Sequence, residues 1–162
     1  MEARDKVWKD VVKSEVLTPG DWSIDAYERA ITFNTLKLIS RLDAKPLSLP
    51  IRSALIVEFH GHMFKSVMTS AGKFTQKQLG FGGFIGSVPR NIPKELSALD
   101  SRLDTLWQQA SSMEERVRIL AMQHISLIAI HGFADGNGRI ARFVLDISLK
   151  ALLQKPLCIH DL

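Results

Sequence analysis

Apolar residues recur three or four positions apart along most of the chain, which is the spacing of one face of an α-helix. The pattern predicts a helix over residues 5–14 and a second helix that begins near Ser23, a favoured N-cap residue. A third helix is predicted from residue 50 to about residue 68, with Leu55, Phe59 and Met63 inward. The stripe of the second helix comprises Ile24, Tyr27, Ile31, Leu38 and Leu42.

Glycine and proline interrupt this pattern between residues 74 and 93. Four glycines and two prolines there do not fit inside one continuous helix, and they predict a short, exposed β-hairpin with a glycine-rich tip. Helical spacing returns over residues 93–107, 113–130 and 138–153. The middle segment is apolar on nearly every side after Ile119, which predicts a helix buried on most faces. We therefore predict a mainly helical single domain with one small hairpin. The apolar members of the hairpin are Phe81, Phe84, Ile85 and Val88.

Composition narrows the class of protein. A chain of 162 residues with 46% hydrophobic and 23% charged residues is typical of one globular domain. Cys158 is the only cysteine, which excludes a disulfide scaffold. The sequence shows neither an apolar signal segment nor a membrane-spanning run, so we expect a cytoplasmic protein that makes no membrane contact.

The net charge of +4 is unevenly distributed. Residues 1–50 hold equal numbers of basic and acidic residues, whereas residues 59–94 include no acidic residue at all. This local distribution weakens overall basicity as an argument for nucleic-acid binding. The basic residues of the acid-free segment are Lys65, Lys73, Lys77, Arg90 and Lys94.

The strongest candidate for chemistry is the segment His-Gly-Phe-Ala-Asp-Gly-Asn-Gly-Arg-Ile-Ala-Arg at residues 131–142. Its glycines permit a sharp turn directly before a helix, where backbone N–H groups and the helix dipole favour an anion. Arg139 and Arg142 lie three positions apart, so both cations project from the same side of that helix and favour a polyphosphate. Asp135 offers a hard carboxylate for Mg²⁺, and His131 is a candidate base near neutral pH.

Two other phosphate-binding motifs compete with this interpretation. A Walker A loop is excluded because Phe74 follows Gly72-Lys73 and the required upstream glycine is missing. Residues 136–141 do fit the dinucleotide pattern G-x-G-x-x-A, with Asp161 about twenty residues further on. Against a dinucleotide fold, the preceding apolar run has the length of a helix, and few residues follow for further strands.

Residues 131–142 resemble the signature of the Fic family, H-x-F-x-[D/E]-G-N-G-R-x-x-R, at every specified position. The resemblance extends over about residues 50–157 and implies an all-α helical bundle with a small β-hairpin flap. The whole chain, residues 1–162, would then be one Fic domain, with N-terminal helices over residues 1–49 and the Fic core over residues 50–157. The implied activity is transfer of AMP from Mg·ATP to a hydroxyl of a target protein.

The resemblance also implies roles for single residues. His131 would take the proton from a Tyr, Thr or Ser hydroxyl of the target, and Asp135 would bind Mg²⁺ between the α- and β-phosphates. Phe133 would pin the loop into the core. The remaining motif residues would hold the nucleotide: Gly136, Asn137 and Gly138 at the α- and β-phosphates, Arg139 and Arg142 at the β/γ end.

A hairpin near residues 77–88 would be the family's flap, which aligns the target segment by strand addition. Its expected docking residues are Lys77, Gly82, Gly83, Phe84 and Ile85.

The sequence departs from the family pattern at three positions. Gly132 replaces a common proline and is expected to loosen the backbone that aims His131, while Ser70 and Thr75 replace a tryptophan and an arginine. The inhibitory pattern [S/T]-x-x-x-E-[G/N] is absent, because no glutamate precedes Gly or Asn. Three alternatives follow: a separate antitoxin-like partner restrains the protein, a segment outside this sequence restrains it, or it acts unrestrained as a translocated effector. Two alternatives to AMP transfer also remain. The protein could catalyse another Fic-type nucleotidyl or phosphoryl transfer, or it could be a toxin-like nucleotide-binding module held inactive by a separate antitoxin partner.

Several residues also have plain structural interpretations. Asp135 could cap the following helix, and Arg142 could pair with Asp146 one turn later. We expect His60 to be structural and His124 to be a hydrogen-bonded core histidine. His62 points away from His60 and is also expected to be structural. We expect the thiol of Cys158 to be unreactive.

Overall fold

Within the residues that the structure describes, five helices and one hairpin build the domain. The computed structural model describes residues 17–18, 20, 22–42 and 46–154. A short 3₁₀ turn, Pro89–Asn91, follows the hairpin, and the predicted helix over residues 5–14 and Cys158 lie outside the described residues. The elements are α1 (Ile24–Leu42), α2 (Ser53–Met63), β1 (Gly80–Phe81), β2 (Phe84–Ile85), α3 (Ile92–Gln109), α4 (Met113–Ile130) and α5 (Asn137–Leu152).

Helix α2 lies at the centre of the bundle, packed against α1, α3 and α5. Its residues Ile56, Phe59 and Met63 are at most 2% exposed, and Phe59 makes an edge-to-face contact with Phe143 of α5 at 5.6 Å between ring centroids. Burial of these large side chains is the main force that assembles the helices. The all-α prediction with a small hairpin is confirmed.

Helix α1 begins where the sequence predicts. The Ser23 hydroxyl accepts a hydrogen bond from the Ala26 N–H at 3.1 Å, which satisfies one free donor of the first turn. Tyr27, Ile31 and Leu38 of the predicted stripe are at most 5% exposed. The buried stripe therefore fixes which face of α1 meets the core.

Two predicted helices differ from the structure. The helix predicted to reach residue 68 ends at Met63, because the chain turns through Ser66 at a φ of 66° and places the Val67 carbonyl against the Thr18 N–H. Helix α4 is not buried on most faces, since only its α3 and α5 sides are covered and Ile125 is 65% exposed. Because residues 113–130 form this helix, the strand that a dinucleotide fold needs is absent there.

A glycine is required where α5 begins. Gly136 is the N-cap of α5 and has a φ of 80°, which favours glycine. A Cβ at this position would lie 2.2 Å from Cζ of Phe64, a ring that is fully buried and has no room to retreat. The loop before α5 is therefore pressed directly against the core.

We predict that Gly136→Ala destabilises the protein more than Gly82→Ala at the hairpin tip. Both positions have positive φ, and that strain costs about 1–2 kcal/mol in each variant. Only residue 136 adds a steric clash, worth about 1–3 kcal/mol more, since nothing lies within 4 Å of a Cβ at residue 82. Denaturant unfolding of both variants measures the difference, and equal losses would contradict the packing described here.

Candidate active site

His131 ends helix α4 in a left-handed conformation, with a φ of 53°. Its Nδ1 lies 3.3 Å from the Ile128 carbonyl oxygen, which can only accept, so Nδ1 carries the proton and Nε2 keeps its lone pair. Burial lowers the pKa of His131 below its ordinary value, although the Ile128 carbonyl and Asp135 oppose that shift. The imidazole is therefore neutral at physiological pH, with Nε2 available to accept a proton.

The hairpin covers His131. Phe81 of β1 stacks on the imidazole with ring centroids 4.0 Å apart and planes inclined by 10°. The base of the hairpin is tied to the end of α4, because the Ser87 N–H donates to the Ile130 carbonyl at 3.0 Å. At Gly86, a Cβ would come within 2.7 Å of the His131 Cβ, so backbone and imidazole meet closely. The hairpin and His131 form one packed unit.

Asn137 shapes the loop that follows His131, residues 131–136, called here the signature loop. Its Oδ1 accepts from the Phe133 N–H at 2.8 Å and its Nδ2 donates to the Phe133 carbonyl at 2.7 Å. Asn137 is 4% exposed, and both ends of its amide are engaged by Phe133. The resemblance implied a phosphate contact for Asn137, whereas in this structure its side chain clamps the loop.

His60 of α2 holds the signature loop through Phe133 and Asp135. Its ring stacks on Phe133 at 3.9 Å between centroids, and Phe64 lies on its other side at 4.5 Å. Nδ1 accepts from the Gly72 N–H at 3.0 Å, so Nε2 carries the proton that it donates to the Asp135 carbonyl at 3.0 Å. Burial lowers the pKa of His60 to about 4. The sequence predicted a structural histidine but gave no sign that it holds this loop.

Thr75, one of the three residues that depart from the family pattern, contacts the signature loop. The Thr75 N–H donates to the Gly132 carbonyl at 2.9 Å, and Phe74 forms an isolated antiparallel bridge with Phe133. A Cβ at residue 132 would lie 3.3 Å from Ile92 Cγ2, so little space surrounds Gly132. The backbone that was expected to be loose is thus held by a neighbouring segment.

Asp135 belongs to a network that reaches α1. Its Oδ2 accepts from the Tyr27 hydroxyl at 2.7 Å and from Nη2 of Arg139 at 3.1 Å, and the same Nη2 donates to the Tyr27 oxygen at 3.0 Å. Burial raises the pKa of Tyr27 above its ordinary value, so the hydroxyl keeps its proton. The alternative that Asp135 caps α5 is wrong, because Gly136 is the N-cap and no side chain caps the helix.

The carboxylate of Asp135 is suited to Mg²⁺. Among the residues that the structure describes, no donor contacts its Oδ1, and no group of three His, Cys, Asp or Glu side chains could form an all-protein metal cage. Mg²⁺ is commonly held by one or two carboxylates together with substrate phosphates. A single hard oxygen beside an uncapped helix N-terminus fits that pattern.

The first turn of α5 offers several donors to an anion. No side chain caps it, so its leading backbone N–H groups are not claimed by a capping residue. The Arg142 guanidinium lies beside this turn, since its Nη1 would be 3.3 Å from a Cβ at Gly138. The predicted pair of Arg142 with Asp146 is wrong, because Asp146 accepts from Lys150 at 2.7 Å. Within the described ranges, Arg142 has no carboxylate partner.

The predicted docking residues lie on the outside of the hairpin. Gly82 and Gly83 form its tip, Phe84 and Ile85 are 71% and 76% exposed, and Lys77 is exposed in the segment before β1. The structure therefore brings Phe81 to His131 and leaves β2 uncovered.

The other histidines lie elsewhere. His62 is 3.6 Å from Glu58 on the surface of α2. The prediction of a hydrogen-bonded His124 is wrong, because its buried Nδ1 has no partner in the part of the chain that the structure describes. None of the described helices is long and apolar enough to cross a membrane.

Together, the fold and the site define a helical domain that presents a histidine, a carboxylate and two arginines around an uncapped helix N-terminus. The family model of the Fic/DOC family matches residues 50–149, which is more than half of the chain. The chain belongs to the Fic/DOC family. Tyr27 lies outside the matched residues.

Named relatives support this assignment. A protein adenylyltransferase Fic from Nematostella vectensis is 26% identical over 141 residues, covering 86% of this chain and 32% of the relative. One from Culex quinquefasciatus is 34% identical over 108 residues, covering 65% of this chain and 21% of the relative. The chain thus spans about a fifth to a third of the length of these two relatives.

Solved structures show the same fold. The BepC protein, a VirB-translocated effector of Bartonella tribocorum solved with bound AMPPNP, superposes with a TM-score of 0.62 at 19% identity. The match covers 82% of this chain and 69% of that structure.

We predict that His60 makes stability fall at acidic pH. Its folded pKa of about 4 lies below the ordinary 6.5, so the unfolded chain binds the proton first and stability is lost as pH falls from 6.5 towards 4. Between pH 7 and pH 4.5 this loss should reach about 2–3 kcal/mol. Denaturant unfolding in metal-free buffer should show a loss in the parent that exceeds the loss in His60→Gln by about this amount, because His131 contributes equally to both.

The exposed His62→Gln variant is the matched control and should keep the parent's pH dependence. If His60→Gln loses as much stability as the parent on acidification, the buried neutral histidine is not its cause.

Proposed function

We propose that this domain transfers AMP from Mg·ATP to a Tyr, Thr or Ser hydroxyl of a target protein and releases pyrophosphate. The observation that carries this proposal is the state of His131: a neutral imidazole with an available Nε2 lone pair, in the loop that leads into an uncapped helix N-terminus. The names of the relatives, which are protein adenylyltransferases, support the same class of reaction.

The proton transfer follows from the orientation of His131. With Nδ1 donating to the Ile128 carbonyl, Nε2 accepts the proton of the target hydroxyl as its oxygen attacks the α-phosphorus. The bond between the α-phosphorus and the bridging oxygen breaks, and the electron pair leaves with pyrophosphate. The lowered pKa of His131 keeps the base unprotonated at neutral pH.

The phosphates would be bound by the first turn of α5 and the two arginines. The N–H groups of an uncapped helix start donate to phosphate oxygens, and Arg142 beside Gly138 adds a permanent cation. Arg139 is three-quarters buried against Asp135 and lies 5.2 Å from the Phe64 ring centre, so its position is fixed by packing. Asp135 would hold Mg²⁺, which neutralises phosphate charge when bound.

The target segment would dock on the hairpin. Among the described strands, β2 pairs only with β1, and its Phe84 and Ile85 side chains are exposed, so an extended peptide could add to this edge and contact both. Because Phe81 stacks on His131, a peptide on the hairpin would lie close to the base.

The proposal places the reaction inside a cell that supplies Mg·ATP. A separate inhibitory protein stays one alternative within the proposal, because no glutamate of this sequence precedes Gly or Asn as the inhibitory pattern requires.

We predict that His131→Ala lowers AMP transfer by about 10²–10⁴-fold, the usual contribution of a general base. Nucleotide binding should persist, since the phosphate-binding donors are unchanged. The assay incubates the chain with Mg²⁺, a cell lysate and ATP labelled at the α- or γ-phosphate, and compares labelled proteins after denaturing electrophoresis. His62→Ala, on the surface of α2, is the matched control and should label like the parent.

Equal α-label from His131→Ala and the parent would refute the assigned base. Transfer of only the γ-label would show phosphoryl transfer instead, and would replace adenylyl transfer as the reaction.

A further inference from the structure

We propose that Tyr27 is a positioning residue for the metal-binding carboxylate: its hydroxyl holds one oxygen of Asp135 and leaves the other for Mg²⁺. This inference rests on the proposed function of Asp135. Tyr27 lies on α1, outside residues 50–149, so the family match assigns it no part in the site.

The Tyr27 hydroxyl takes part in a closed triangle of hydrogen bonds. It donates to Asp135 Oδ2 at 2.7 Å while it accepts from Arg139 Nη2 at 3.0 Å, and Nη2 also donates to Oδ2 at 3.1 Å. Both donors therefore converge on the same carboxylate oxygen. Hydrogen bonds to an ionised carboxylate are among the stronger ones in proteins, so this triangle fixes the orientation of the side chain.

The two carboxylate oxygens of Asp135 differ in their hydrogen-bond donors. Oδ2 has two donors, whereas Oδ1 has none among the residues that the structure describes. The backbone of Asp135 is held separately, by His60 through its carbonyl. Tyr27 and Arg139 thus determine the side-chain orientation, on which the direction of Oδ1 depends.

Helix α1 holds Tyr27 rigidly enough for this role. Tyr27 is 4% exposed, and its ring lies 5.1 Å from the Arg139 guanidinium carbon. About two turns further on, Asn34 donates to the carbonyls of Met63 and Lys65 at 3.2 and 2.9 Å. These bonds tie α1 to the end of α2, so the hydroxyl is presented from a fixed helix.

The first test is Tyr27→Phe, which keeps the ring and removes only the hydroxyl. Outer partners of metal ligands typically contribute about 10–100-fold to metal affinity, so the Kd for Mg·AMPPNP should rise about tenfold or more. The Kd for AMPPNP in EDTA should change much less, because Arg142 and the first N–H groups of α5 are untouched and Arg139 keeps its bond to Asp135. Isothermal titration of the full chain gives both constants without any catalytic turnover.

Thr35→Val is the matched control. Thr35 is a fully buried hydroxyl on the same helix that donates to the Ile31 carbonyl at 2.8 Å, away from the site. It should lose stability as a buried hydroxyl variant does and keep both parent constants.

A second measurement needs no variant. Tyr27 is the only tyrosine in the sequence, so full-chain protein labelled with 3-fluorotyrosine gives a single ¹⁹F resonance. That resonance should move when Mg²⁺ is added to the AMPPNP-bound protein, and move less when AMPPNP is added in EDTA. If the resonance does not move when Mg²⁺ is added, the proposal is overturned. This measurement does not depend on whether Tyr27→Phe folds.

The outcomes separate the two claims. Suppose that Mg²⁺ tightens AMPPNP binding by the same factor in the parent and in Tyr27→Phe. The positioning role of Tyr27 is then refuted, while the metal-binding role of Asp135 stands. If Mg²⁺ does not tighten binding in the parent, the metal role of Asp135 fails, and the inference about Tyr27 fails with it.

Discussion

The stack of His60 on Phe133 is the contact on which the site depends. It joins the centre of the core to the middle of the signature loop, with ring centroids 3.9 Å apart. The same imidazole fixes the Gly72 N–H and the Asp135 carbonyl, and Asn137 clamps Phe133 from the α5 side. A loop with so many fixed points keeps its shape before any ligand arrives, and preorganisation of this kind is a large part of how enzymes stabilise charge.

Three separate parts of the chain converge on this loop. The core provides His60, the segment before the hairpin provides Thr75, and α1 provides Tyr27. The family match covers the first two and not the third. Adenylyl transfer would thus use a shared loop whose carboxylate is oriented by a residue from the N-terminal helix, which offers a place where activity can be adjusted without altering the signature.

Sequence reasoning identified the signature residues because they lie within twelve consecutive positions, where spacing and residue type are visible together. It also placed α1 and α4 correctly, since capping residues and helical spacing are local features. It missed Tyr27, which meets Asp135 across 108 positions, and the role of His60, 75 positions away. It overestimated the burial of α4 at Ile125, because apolar character alone does not say whether a neighbour covers that face.

Residue-resolved amide hydrogen exchange, with and without Mg·AMPPNP, tests whether the core forms the proposed nucleotide site before the ligand binds. We expect slow exchange at the Phe133 N–H in the free protein, because that group is buried and bonded to Asn137 at 2.8 Å. The Gly138 and Arg139 amides, at the uncapped start of α5, should slow only when nucleotide is present. Rapid exchange at Phe133 that slows only on nucleotide binding would show that the ligand, and not the core, orders the loop.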